Sequence, residues 1–100
     1  MKNKSIAYVV RGSEDGNLGI YTTKERARKE AWAYVNAAGE EQPTILVTRK
    51  GWTPEDGFEN KYVRVVANQG NVSRELQARR HVTLEGNGVE CEIDGFYVNL

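Results

Sequence analysis

The sequence predicts an α+β domain in which one main helix packs on an antiparallel sheet, and three observations predict it. Two short runs of strand-like residues flank a glycine-rich turn, at residues 6–11 and 18–22. They lead into residues 22–39, TTKERARKEAWAYVNAAG, where apolar residues recur at helical spacing. Beyond that segment, β-branched or alternating runs return at residues 44–48, 62–67 and from 82 onward. The expected architecture is a ββα unit followed by further antiparallel strands. A chain of 100 residues is expected to form one domain that buries a core without staples.

In the first strand, Ile6, Tyr8 and Val10 alternate with Ala7, Val9 and Arg11. Being apolar on both faces, it is expected to lie centrally in its sheet. Residues 12–17, GSEDGN, form a turn in which glycines supply positive φ, and Leu18, Ile20 and Thr22 then pair back on the first strand. Thr22 followed three residues later by Glu25 makes a capping box, and Gly39 supplies the left-handed conformation that ends a helix. Between these ends Ala27, Ala31, Tyr34, Val35 and Ala38 form one narrow stripe at about 100° per residue. Alanines let a helix lie close on strands, which favours sheet packing over a coiled-coil seam. Trp32 stands roughly 110° from the centre of that stripe, beside Arg28.

Residues 44–48, TILVT, read as a strand, and residues 49–60, RKGWTPEDGFEN, as a long loop in which Trp52 and Phe58 are embedded. Either the loop folds back and buries these aromatics or it presents them. Residues 62–67 form a strand with Val63, Val65 and Ala67 on one face, and residues 69–71 turn the chain. Residues 72–80 admit a strand by pattern, whereas helix propensity favours a short second helix. Gly86, Asn87 and Gly88 then turn a hairpin. In its second strand Val89, Cys91 and Ile93 are buried while Glu90, Glu92 and Asp94 are wet. Asp94 and Gly95 mark a second turn or bulge before residues 96–98 close the chain.

Composition limits the functional classes. With 14 basic and 14 acidic side chains the net charge is zero, which removes the simplest argument for a nucleic-acid partner. The charges are unevenly spread, nine basic and six acidic in residues 1–50 against five and eight in 51–100, so a basic helix face and an acidic strand edge are expected. Such polarity suits protein recognition at least as well as nucleic acid. The single cysteine, Cys91, excludes an internal disulfide, and no apolar run approaches the roughly 18 residues of a membrane span. Residues 1–4 lead straight into a strand with no signal-peptide core, so the expected location is cytoplasmic and the Asn71-Val72-Ser73 match to a glycosylation acceptor is chance.

Catalytic and metal chemistry find little support. A Cys/His pair would have to use His81 and Cys91, which flank the same hairpin, but Cys91 shares the apolar face of its strand. Structural zinc needs four ligands and only these two residues are of the right type. Glu14, Asp15 and Asn17, like Glu55, Asp56 and Glu59, lack the ligand spacing of a calcium loop and read as solvated turns. No phosphate-binding glycine motif is present, and no cofactor is expected.

Residues 7–35, AYVVRGSEDGNLGIYTTKERARKEAWAYV, resemble the opening ββα unit of many small uncharacterised proteins of phages and mobile elements. Anti-CRISPR and other anti-defence proteins have been drawn from that set. The resemblance implies a phage-encoded, non-enzymatic inhibitor that blocks a host protein complex by direct binding in the host cytoplasm; it transfers no active-site residue. The zero net charge departs from the strongly acidic, DNA-mimicking members of the set. The residues that the pattern offers to such a partner are Arg26, Arg28, Lys29 and Trp32 on the helix, with Trp52 and Phe58 in the loop, because rigid aromatics and arginines dominate binding hot spots. The alternative partner is nucleic acid, held by the arginine-rich helix face together with Arg74, Arg79 and Arg80 and stacked on Trp32 and Trp52. Neither reading specifies an oligomeric state.

Overall fold

The computed structural model describes residues 4–37, 39, 42–48 and 62–99. Its elements are β1 (Lys4–Gly12), β2 (Gly16–Tyr21), α1 (Lys24–Val35), β3 (Thr44–Thr48), β4 (Tyr62–Val66), α2 (Gln69–Arg79), β5 (His81–Gly86) and β6 (Val89–Asn99). The six strands form one antiparallel sheet in the order β2-β1-β6-β5-β3-β4. The predicted α+β class is therefore the observed one. β1 joins β6 along its whole length, from Lys4↔Asn99 to Gly12↔Cys91, so the two ends of the described chain close on each other. The opposite half hangs on less: β3 meets β5 only at Thr44↔Glu85 and Ile45↔Leu84.

Strand alternation sorts the side chains cleanly. One face carries Tyr8 and Val10 of β1, Cys91 and Ile93 of β6, Val82 and Leu84 of β5, and Ile45 of β3, all buried. Ala27, Ala31 and Val35 of α1 and Val72 and Leu76 of α2 complete the same core. Both helices pack on this side, α1 over β1, β6, β2 and β5 and α2 over β5 and β6. Burial, with Glu25 adding to it, holds the Tyr8 hydroxyl above its ordinary pKa of 10.0. β1 is an interior strand, as its sequence implies, but among the described residues no helix covers its Ala7 and Val9 face.

Several local expectations are corrected. The cap of α1 is Thr23, one residue later than predicted; its side chain accepts from the Arg26 amide at 3.2 Å. The helix ends at Val35 with Asn36 as its cap, although Gly39 does take the expected positive φ of 71°. Tyr34, at the rim of the stripe, lays its ring over Gly12, and its hydroxyl accepts from the Glu14 amide at 3.0 Å.

Residues 69–71 open a helix instead of turning the chain. Asn68 and Asn71 form a reciprocal capping box, at 2.8 and 2.9 Å, which starts α2 three residues before the predicted segment. Asp94 and Gly95 make neither turn nor bulge, for β6 runs unbroken through them. A β-carbon at Gly95 would crowd Ile6 Cγ2 at 3.1 Å and the Tyr8 ring at 3.2 Å, so the glycine lets both side chains lie close on the strand. Between α2 and the β3–β4 pair lies a hollow of about 900 Å³, lined by Val47, Val65, Asn71 and Glu75 among others.

Candidate functional site

The phase of α1 separates the residues that the sequence groups together. With Ala27, Ala31 and Val35 on the core, Arg28 and Trp32 fall one helical turn apart on one flank, and Arg26 falls on the other. Arg26 sits 5.7 Å over the ring of Tyr21 in β2 and 3.8 Å from Glu30. Arg28, Lys29 and Trp32 instead face the start of α2. With Ala33 and Gln69 they line a groove of about 290 Å³. Trp32, expected to be exposed, is half-buried and packs against the core because α2 docks beside α1. Trp52 and Phe58, the other two candidate partner residues, lie outside the described residues.

Arg28 stands apart from the other arginines in its hydrogen bonding. Its Nε is buried and, among the described residues, has no hydrogen-bond partner. Leaving a buried donor unmet costs about 1–3 kcal/mol, and more for a charged group. Arg11, Arg26, Arg64 and Arg79 each have a carboxylate within reach, and Arg80 stacks 4.6 Å over the Tyr97 ring.

A second surface is the sheet face turned away from the helices. It presents Ile20 of β2, Ala7 and Val9 of β1, and Phe96 and Val98 of β6, neighbours by register through Val9↔Ile20, Ala7↔Phe96 and Ser5↔Val98. Ile20 is 69% exposed, Phe96 54% and Val98 37%, which is a high cost in wetted apolar surface for one end of a sheet. Sequence reasoning missed this patch by breaking β6 at Gly95. Carried through the glycine, the parity of Glu90, Glu92 and Asp94 places Phe96 and Val98 on the same open face.

Beside the patch runs a polar network. Arg11 donates to Asp94 at 2.8 Å and reaches Glu92 at 3.4 Å. His81 Nδ1 lies 2.6 Å from the other Asp94 oxygen, and Thr83 Oγ1 lies 3.2 Å from His81 Nε2. Farther across, Arg64 pairs with Glu85 at 2.7 Å.

Hydroxyl, imidazole and carboxylate in that order have the connectivity of a nucleophilic relay. The hollow beside them, lined by Leu46, Arg79, His81 and Thr83, holds about 190 Å³, below the roughly 300–1,000 Å³ usual for ligand pockets. The contacts follow from strand geometry, since His81 and Asp94 are cross-strand partners and Thr83 is two residues from His81. The pair that the sequence offered, Cys91 with His81, does not form: His81 is on the open face and Cys91 is fully buried on the helix-covered one. Burial, with Glu92 nearby, pushes the Cys91 thiol up to about 12. Among the described residues no group of three or more His, Cys, Asp or Glu is placed to hold a metal ion, and no helix is long and apolar enough to cross a membrane.

Comparison of the chain with protein families, curated proteins and solved structures returns no match. Geometry and chemistry therefore carry the functional argument.

Proposed function

We propose that this chain is a non-enzymatic binding protein that acts by covering a surface of a partner protein. The observation that carries this reading is the uncovered sheet face, where Ile20, Phe96 and Val98 are exposed beside Ala7 and Val9. Contiguous apolar surface of this kind is buried favourably only by a partner, and aromatic anchors supply much of the energy in such contacts. Its two arginines among the described residues are already paired within the molecule, Arg11 to Asp94 and Glu92, and Arg64 to Glu85. A partner therefore meets a rim whose arginines are already engaged and whose balance is acidic.

The same pairing weighs against nucleic acid. Among the described residues the strands of this face carry two arginines, Arg11 and Arg64, against Glu85, Glu90, Glu92 and Asp94, so a phosphate backbone finds no accumulated positive charge on them. The likeness of residues 7–35 to phage anti-defence proteins supplies the biological setting: an inhibitor that blocks a host complex in the cytoplasm.

The test compares wild type with Ile20→Glu/Phe96→Glu in pull-downs from a bacterial host lysate, with circular dichroism to check the fold and light scattering to read the mass. A host protein retained by wild type and lost by the folded variant supports the reading. Salt-sensitive binding to an oligonucleotide that the variant keeps, with no protein lost, overturns it.

A further inference from the structure

The groove between α1 and α2 is on the helix layer, across the sheet from the apolar patch, and its chemistry differs. Arg28, Lys29, Trp32, Ala33 and Gln69 line it, two cations and no acid. Among the described residues neither Arg28 nor Lys29 is in an ion pair. The Nε of Arg28 is buried and, among the described residues, has no hydrogen-bond partner, so this guanidinium has hydrogen-bonding capacity that the fold does not use. Gln69 is the first residue of α2 and brings the positive end of that helix to the same groove. The ring of Trp32 and the methyl of Ala33 give it an apolar wall.

The geometry points to this groove as a receptor for one carboxylate, the side chain of an acidic residue on a partner protein, with the neighbouring apolar residue against Trp32. Its volume of about 290 Å³ suits one or two side chains. A nucleic-acid strand gains its affinity from a series of phosphates. On this flank, among the described residues, only Lys24, one turn before Arg28, extends the charge, and Arg26 lies on the far flank of α1 beside Glu30. A guanidinium binds a carboxylate through a planar fork that a lysine lacks, so Arg28 is the specific element and Lys29 the general attraction.

The experiment is a heteronuclear NMR titration of the full chain with acetyl-Glu-Leu-amide, set against acetyl-Gln-Leu-amide, inorganic phosphate and a short single-stranded oligonucleotide. The Glu peptide is expected to shift the Trp32 indole, the Arg28 Nε–H and the Gln69 amide saturably, at least tenfold more tightly than the Gln peptide. Lys29→Glu, at an exposed position, is expected to weaken the Glu peptide at least tenfold while the fold survives. Arg28→Lys is expected to weaken it several-fold although charge is kept, and Phe96→Glu to leave it unchanged. Equal affinity for Glu and Gln peptides, insensitivity to Lys29→Glu, or tighter binding of phosphate or oligonucleotide than of the Glu peptide overturns the assignment.

Discussion

The ring of Tyr34 lies directly on Gly12: a β-carbon at Gly12 would come within 2.4 Å of Tyr34 Cζ. This contact seats the far end of α1 on the end of β1, and the Tyr34 hydroxyl then holds the β1–β2 turn through the Glu14 amide at 3.0 Å. Gly12→Ala must swing the ring away and break that bond. The expected loss is about 1–3 kcal/mol, read from urea unfolding. Tyr34→Phe removes only the hydrogen bond and is expected to cost about 0.5–1.5 kcal/mol. A Gly12→Ala protein as stable as wild type would show that the ring does not anchor the helix.

Asn87 does two things at the tip of the β5–β6 hairpin. Its φ of 54° precedes Gly88 at 81°, the pair of positive values that a two-residue hairpin turn requires. Its side chain also donates to the Val35 carbonyl at 2.7 Å, closing the end of α1. Asn87→Gly keeps the turn and loses the bond, with an expected cost of about 1 kcal/mol. Asn87→Ala loses both and should cost roughly 1 kcal/mol more. Thermal unfolding of the two variants separates the contributions.

Cys91 predicts a pH effect of definite sign. Its thiol ionises at about 12 in the fold against a reference of 9.0, so between these values the unfolded chain binds fewer protons and stability falls as pH rises. Below the reference value the contribution is intact. Wild type should lose up to about 1.4 kcal/mol per pH unit within that window relative to Cys91→Ala, compared by urea midpoints. At neutral pH a thiol reagent should label Cys91 only as fast as the protein opens.

Arg11 and Asp94 form a part-exposed pair at 2.8 Å, with side-chain exposures of 50% and 21%. A double-mutant cycle with Arg11→Ala and Asp94→Ala is expected to give a coupling of about 0.2–1 kcal/mol. Raising the salt to about 1 M, where the screening length is near 3 Å, should reduce it. A coupling of zero would show that the pair adds nothing to stability beyond the separate contacts of its two members.

Much of the site was legible only in part. The cluster of Arg28, Lys29 and Trp32 could be read from the sequence as a charged flank with an aromatic, because helical phase is a local property. That Arg26 leaves the cluster follows from the same phase. That Trp32 is half-buried and Gln69 completes the groove does not, because these depend on α2 docking beside α1. The exposed patch was hidden by one residue: Gly95 reads locally as a break, and only the Tyr8 ring above it explains a glycine in mid-strand.

By itself the sequence determined the α+β class, the ββα opening, the alanine stripe of α1 and the two faces of residues 89–94, all set by periodicities of 3.6 and 2 that neighbouring residues write into the chain. Tertiary structure alone decided that the last strand pairs with the first, that both helices take one side of the sheet, and that Ile20, Phe96 and Val98 are left together on the other. Those outcomes rest on contacts between residues far apart in the chain, which local pattern does not encode.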